Sequence, residues 1–406
     1  MERLNEMKGQ KKIYLIINEI ERYIDDYNEG IGNVSDGYFG LDKKPKILSR
    51  AFYKLWELLM CFDLIDPNQK KFVAAHLAEG PGSFIQATMF YREMFGDHSK
   101  TDKYYGITLD PESDTESVPP LEKKFTSYYA KEKPIRFVLH ETYPKAIADK
   151  SKDKDNGDLT DPKTIKHFQD EVEGRADFIT ADGGFVWEEE TIQEQEAYFL
   201  VVAQIISAFK VQKKGGNFIC KFFETFTNSS MKAIVLLTNL YEEVYFMKPM
   251  MSNIHNSEKY IVCLKFKYSE NDKEYIDIDK KLDKILSDIR NKPKDLNIVD
   301  IFSEFKLNDK ENKDLVDAVS NYCVEIANKQ FKVLNEINQF LDSQNYHGEV
   351  YETHRQHQID VTKFWLSMYF PDIKNYDKLK KYCSEMKDQS IKHRKEYMDE
   401  VNKSLS

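Results

Sequence analysis

The sequence predicts an α/β fold: a doubly wound sheet with N-terminal helices before it and a mainly helical C-terminal extension after it. Three observations predict this. From residue 71 to residue 267, short apolar runs alternate with helical segments, the pattern of a mostly parallel sheet with helices on its faces. The first run leads through Glu79-Gly80-Pro81-Gly82-Ser83-Phe84 directly into a helix, the usual first unit of a Rossmann-like nucleotide-binding sheet. After about residue 269 the strand signals stop and charged helical periodicity takes over. The expected divisions are 1–45, an N-terminal helical segment; 46–268, the α/β domain; and 269–406, the helical extension.

Composition bounds the class of protein. A chain of 406 residues is long enough for one large core with additions. Its net charge of −10 argues against indiscriminate coating of nucleic acid, yet leaves room for a local basic groove. The five cysteines (Cys61, Cys220, Cys263, Cys323, Cys383) form no C-x-x-C pair, which fits a reducing compartment. The charged N-terminus does not read as a signal peptide, and the longest apolar run, 197–209, is too short to span a bilayer. A soluble intracellular protein without a membrane partner is expected. The Lys/Asn/Ile/Tyr-rich composition suggests an AT-rich genome, viral or protist; that would place it in the cytoplasm, a viral factory or a virion, or in the nucleus if cellular.

In chain order, apolar residues at helical spacing predict a helix over 12–28, and a Gly/Asn/Ser-rich loop follows over 30–40. Residues 48–59 form an amphipathic helix with Ser49 as a candidate cap; Lys54 on it reads by itself as a lysine snorkelling to the surface. Residues 71–78 are the first strand, and a helix covers 83–94. The glycines of the turn let the backbone approach a ligand. Glu79 at the strand's end suits a positively charged ligand better than a pyrophosphate, so S-adenosylmethionine is expected rather than NAD. Strand two, 103–109, ends at Asp110, placed to hydrogen-bond ribose hydroxyls, although the segment is also an ordinary turn. A third strand covers 135–139, and 145–161 is a charged loop in which Asp158 reads as a turn or capping residue before a helix starting at Pro162.

The stretch from Ala176 to Tyr260 organises the rest. Three apolar runs in it carry one ionisable residue each, at or next to an end: Asp182 after Phe178-Ile179-Thr180-Ala181, Lys221 after Phe218-Ile219-Cys220, and Glu258 two residues before Tyr260-Ile261-Val262. Charged residues at strand ends of an open sheet face the ligand crevice, so these three form a candidate catalytic cluster. Between them lie a helix over 188–213, apolar nearly all round from Ala197, a helix over 229–241, and strands at 244–248 and 259–267. Helices then cover 282–289, 313–341, 361–369 and 376–404. His347, His354 and His357 lack a Cys or paired acid to complete a metal site, so surface histidines are expected and no metal.

Lys54, Asp182, Lys221 and Glu258 resemble, in order and context, the K-D-K-E tetrad of the FtsJ/RrmJ-type ribose 2′-O-methyltransferases. Glu79-Gly80-Pro81-Gly82-Ser83-Phe84 resembles that family's cofactor motif, with Ser83 in place of its last glycine. Ala181-Asp182-Gly183-Gly184-Phe185, Gly157-Asp158-Leu159-Thr160 and Asn256-Ser257-Glu258-Lys259-Tyr260 are similar to the mRNA cap-specific branch found in eukaryotes and viruses. The resemblance covers residues 48–266. It implies the S-adenosylmethionine-dependent methyltransferase fold, with Glu79, Gly80, Pro81, Gly82, Ser83, Phe84, Asp110, Asp158 and Asp182 at the cofactor and Asp158 at its adenine. It implies methylation of the 2′-hydroxyl of the first transcribed nucleotide, giving cap 1, with the capped mRNA 5′ end as partner. Other capping or transcription proteins could dock on the C-terminal helices. Lys221 would be the general base, Asp182 would orient it and Glu258 would hold Lys54. A free lysine has a pKa of about 10.4, so the base must lose its proton to act; burial and Lys54 favour that, and the two acids oppose it. The alternatives are a ribosomal- or transfer-RNA 2′-O-methyltransferase, and a non-catalytic RNA-binding or polymerase-associated subunit of the same fold.

Overall fold

Strand sequences such as Ala176–Ala181 (ADFITA) are apolar on both faces, so the sheet they form has to be covered from both sides. The computed structural model describes residues 18–21, 28–109, 119–131, 136–139, 157–172, 175–184, 193–291, 302, 304–343, 348–373 and 375–405. In chain order these hold α1 (Ile31–Tyr38), α2 (Ala51–Cys61), β1 (Val73–Leu77), α3 (Ser83–Phe95), β2 (Lys103–Ile107), α4 (Lys123–Tyr129), β3 (Phe137–Leu139), α5 (Pro162–Glu171), β4 (Ala176–Ala181), α6 (Gln193–Val211), β5 (Gln212–Phe222), α7 (Asn228–Leu240), β6 (Tyr241–Met247) and β7 (Lys259–Phe266). Four helices follow: α8 (Lys273–Asn291), α9 (Lys310–Ser343), α10 (Glu349–Tyr369) and α11 (Tyr376–Leu405).

The seven strands form one sheet in the order β3-β2-β1-β4-β5-β7-β6. β1 to β5 are parallel, and β7 is antiparallel to both β5 and β6. The antiparallel β7 matters for the site. Its first residue, Lys259, pairs with Phe222, the last residue of β5, so the residue before β7 arrives at the carboxyl edge of the parallel strands. That is how Glu258, N-terminal to its strand, meets groups C-terminal to theirs.

One core layer joins the sheet to α5, α6 and α7 and continues into the extension, where Tyr275 of α8 stacks on Phe209 at 4.4 Å between ring centroids. The second layer joins the sheet to α2 and α3, and α10 and α11 close over it. Trp56 of α2 donates its indole N–H to the Tyr369 carbonyl at 2.7 Å, and Trp365 packs edge-on against Tyr53. Each buried aromatic of this kind contributes about 2–3 kcal/mol by removal from water. The extension therefore shares both cores with the sheet.

Four expectations are corrected. Residues 31–38 are helical where a loop was predicted: Ile31 and Ser35 are buried, and the Ser35 hydroxyl donates to the Ile31 carbonyl and meets the Tyr53 hydroxyl, so packing overrides two helical glycines. α4 was not foreseen, because only Phe125 and Tyr129 mark its buried face. α8 and α10 start nine and twelve residues earlier than predicted, since their first turns are rich in charge and carry few buried apolar residues (Tyr275 in α8) to mark a helical face. The cap of α2 is Arg50; the Ser49 hydroxyl instead accepts the Ala51 N–H and pairs with Ser83 at 2.7 Å. Most of the helix over 12–28, most of the loop over 145–161, Asp110, Phe185 and His347 lie outside the described residues.

Candidate active site

Asp182 follows β4 directly, Lys221 is the penultimate residue of β5, Glu258 precedes β7, and Lys54 sits mid-way along α2. The fold brings all four to one edge of the sheet. They meet as two ion pairs: Lys221 Nζ lies 3.2 Å from Asp182 Oδ1, and Lys54 Nζ lies 2.7 Å from Glu258 Oε1. Lys221 also donates to the Asp182 carbonyl at 2.9 Å, so both ends of one residue hold it. Lys54 is therefore paired inside the site, where the sequence alone reads as a snorkelling lysine.

The pairs sense each other. Burial by itself would raise the Glu258 carboxyl, but the Lys54 and Lys221 ammonium groups outweigh it and hold Glu258 well below the usual carboxylate range. Burial would lower Lys221; Asp182, then Glu258, more than offset it and hold the ammonium above its ordinary value. The competition that sequence leaves open is thus decided for the acids. Lys221 is held toward its charged form.

Several residues the sequence did not single out set this geometry. Tyr260 donates its hydroxyl to Asp182 Oδ1 at 2.8 Å, the oxygen that also faces Lys221. Tyr260 lies in β7 two residues beyond Glu258, a relation visible only once the strand is placed. Ser252 donates to Glu258 Oε1 at 2.6 Å. Glu57, fully buried one turn beyond Lys54, accepts the N–H groups of Met250 and Met251 and the Trp365 indole, at 2.7, 2.8 and 2.9 Å. Burial pushes Glu57 up to about 7, against the pull of those donors. A glutamate in an apolar helix face was the available signal. The glycines after Asp182 are spatial requirements: a Cβ on Gly183 would lie 2.6 Å from Gln204 Oε1, and one on Gly184 would lie 3.2 Å from Lys221 Nζ.

The turn after β1 is built around Glu79. Its carboxylate is buried, and Oε1 accepts the N–H groups of Phe84 and Ile85 at 2.8 and 2.9 Å. Burial raises its pKa well above the ordinary value, the two N–H groups lower it and nearby Asp182 raises it. The α3 N-terminus, where a dinucleotide's pyrophosphate would bind, is thus filled by the chain's own acid. A pyrophosphate finds those N–H groups already taken, whereas a cation bound beside Glu79 would favour its ionised form, which fits S-adenosylmethionine. The turn is close-packed: a Cβ on Gly80 would lie 1.8 Å from the Pro119 carbonyl oxygen, Gly82 has φ of +110°, and Pro81 accepts the Glu122 N–H. Ser83 meets Ser49, and Phe84 packs near Tyr260 at 6.0 Å between centroids, linking the turn to the tetrad. Asp158 accepts the N–H and hydroxyl of Thr160, a turn just before α5.

Residues 47–266 match the FtsJ-like methyltransferase family. The chain belongs to that family. Among curated relatives, a cap-specific mRNA (nucleoside-2′-O-)-methyltransferase 2 of Drosophila melanogaster is 27% identical, covering 66% of this chain and 36% of the relative. A cap-specific mRNA (nucleoside-2′-O-)-methyltransferase 1 of Mus musculus is 30% identical, covering 66% and 29%. An uncharacterized protein of Acanthamoeba polyphaga mimivirus is 29% identical, covering 55% and 26%. The chain thus spans about a third or less of these relatives' length. FtsJ-like methyltransferases use S-adenosylmethionine, in line with the turn built around Glu79.

No group of three or more His, Cys, Asp and Glu among the described residues is arranged to hold a metal. His354 packs edge-on to Phe340, and His357 lies 3.8 Å from Glu19. No helix among the described residues is long and apolar enough to cross a membrane.

Proposed function

We propose that this protein methylates the ribose 2′-hydroxyl of the first transcribed nucleotide of capped mRNA, with Lys221 as general base. The observation that carries the proposal is the pairing of Lys221 with Asp182 and Lys54 with Glu258 at the carboxyl edge of the sheet. S-adenosylmethionine, when bound, supplies an electrophilic methyl carbon on a cationic sulfur.

A ribose hydroxyl is a weak nucleophile, so a base has to take its proton as its oxygen attacks. Lys221 is the side chain placed for that, aimed by the Asp182 carboxylate and carbonyl. It acts in its neutral form, and its charged resting state means that a proton leaves before each turnover. Glu258 keeps Lys54 in place as a second cation at the site, fit to stabilise negative charge on the attacking oxygen. Asp158 and Glu79 belong to the cofactor side in this scheme, Asp158 toward the adenine. The sequence similarity to cap-specific enzymes supports the choice of acceptor.

The test is labelled-methyl transfer from S-adenosylmethionine to short RNAs bearing an N7-methylated cap, an unmethylated cap or a 5′ triphosphate, with Lys221→Ala alongside. Transfer confined to capped RNA, mapped to the first ribose and lost in the variant, is the expected result. Equal transfer to uncapped RNA points to a ribosomal- or transfer-RNA enzyme. Binding of cofactor and RNA without transfer points to a missing partner or to the non-catalytic subunit.

A further inference from the structure

The connector between β6 and β7 begins at Lys248 and ends at Glu258. Lys248 turns its ammonium back onto that same connector. Nζ donates to Asn256 Oδ1 at 2.8 Å, to the Asn256 carbonyl at 2.9 Å and to the Glu258 carbonyl at 2.8 Å, and Ser252 Oγ, at 3.3 Å, shares one of those three N–H groups. Ser252 in turn donates to Glu258 Oε1, the oxygen that holds Lys54. One ammonium thus ties the start of the loop to its end, and a short relay runs from Lys248 through Ser252 and Glu258 to Lys54.

Glu258 needs such a tie. It lies one residue outside β7, whose pairing begins with Lys259 opposite Phe222, so the ladder does not fix its carbonyl. Every hydrogen bond of Lys248 goes to the connector, which separates its role from that of Lys54 and Lys221.

We propose that Lys248 is a positioning residue that presents Glu258, and through it Lys54, to the reacting ribose. The inference rests on the function proposed above. Burial pushes the Lys248 ammonium down to about 7, against the pull of Glu258 and with the push of Lys54 and Lys259. A neutral residue there relieves that electrostatic cost, offsetting part of the lost hydrogen bonding. Lys248 and Ser252 also line a cavity of about 850 Å³ that reaches α9, α10 and α11, so methionine at 248 has room to settle. Lys248→Met is therefore a fair probe of position.

The experiment has two readouts on the full chain. In the first, Lys248→Met is made in the parent and in Glu258→Gln, and kcat for methyl transfer to capped RNA is compared. The expected result is a loss of about tenfold or more in the parent, of less than about twofold in Glu258→Gln, and an S-adenosylmethionine Kd within about twofold, because residues acting through one another are non-additive. Equal losses in both backgrounds, or no loss in the parent, overturn the proposal. The second readout, hydrogen exchange, needs no RNA. Lys248→Met is expected to speed exchange across 250–258 about tenfold and leave β7 unchanged, while Ser252→Ala, which removes the hydroxyl donor to Glu258 and only the longest of the Lys248 contacts, leaves the connector protected. An unchanged connector in Lys248→Met overturns the inference even if the parent transfers no methyl group. A parent that is inactive on capped RNA but shows the exchange effect refutes the proposed reaction and keeps the tether.

Discussion

Asp182 Oδ1 is shared between a lysine and a tyrosine, and that sharing tunes the proposed base. Tyr260 donates to the oxygen that faces Lys221, drawing off part of the charge that would otherwise act on the ammonium. Tyr260→Phe removes that donor, so Asp182 attracts Lys221 more strongly and raises its pKa further. Because only the neutral amine accepts a proton, the rate near neutral pH is expected to fall about three- to tenfold, and the pH at which the rate levels off is expected to move up. A pH profile of kcat/KM checks this, and superimposable wild-type and variant profiles would sink the idea. Asp182, Lys221 and Glu258 were legible in sequence because each sits at or beside the end of an apolar run, whereas Lys54, inside a helix, joined them only through the family resemblance. Tyr260 and Ser252 were not legible, because a tyrosine in a strand and a serine in a loop carry no signal until the strand's face and the loop's path are known.

At the scale of elements, the site depends on how α2 is fixed to the β6–β7 connector. Lys54 and Glu57 lie one turn apart on α2; the first reaches Glu258 at the end of the connector, the second holds Met250 and Met251 near its start. Trp365 of α10 completes the joint. Glu57→Gln places an amide nitrogen against one of three buried donors, and an unsatisfied buried group costs about 1–3 kcal/mol. We predict a loss of about 2 kcal/mol in denaturant unfolding, with a larger fall in kcat than in cofactor affinity. Unchanged stability and activity would show that the joint is dispensable. Sequence placed the strands well, since parallel strands buried on both faces read as continuous apolar runs. It missed α1 and α4, whose helical state comes from packing, and the joint, because the partners Glu57 and Trp365 stand 308 residues apart.

For the molecule as a whole, the antiparallel β7 turns a doubly wound sheet into a site by carrying Glu258 back to the edge where Asp182 and Lys221 end. The helices after residue 269 supply both core layers and the Trp365 contact, so their contribution to the site is mechanical as well as spatial. Periodicity showed that those helices exist. It could not show where they pack, since their aromatic anchors, Tyr275, Trp365 and Tyr369, are spaced among charged residues with no local mark of their partners.

We propose that a lysine held charged by two acids becomes the base for ribose methylation. It is tested most directly by the rate of methyl transfer to capped RNA from about pH 6.5 to 9.5, in the wild type and in Lys221→Met. With the Lys221 pKa raised, the neutral fraction near pH 7.5 is below about one in a thousand, so the wild-type rate is expected to climb about tenfold per pH unit through neutrality. Lys221→Met is expected to fall by about 10²–10⁴-fold and to lose that slope. A variant within about tenfold of the wild type, with the same rise in rate, would contradict the account.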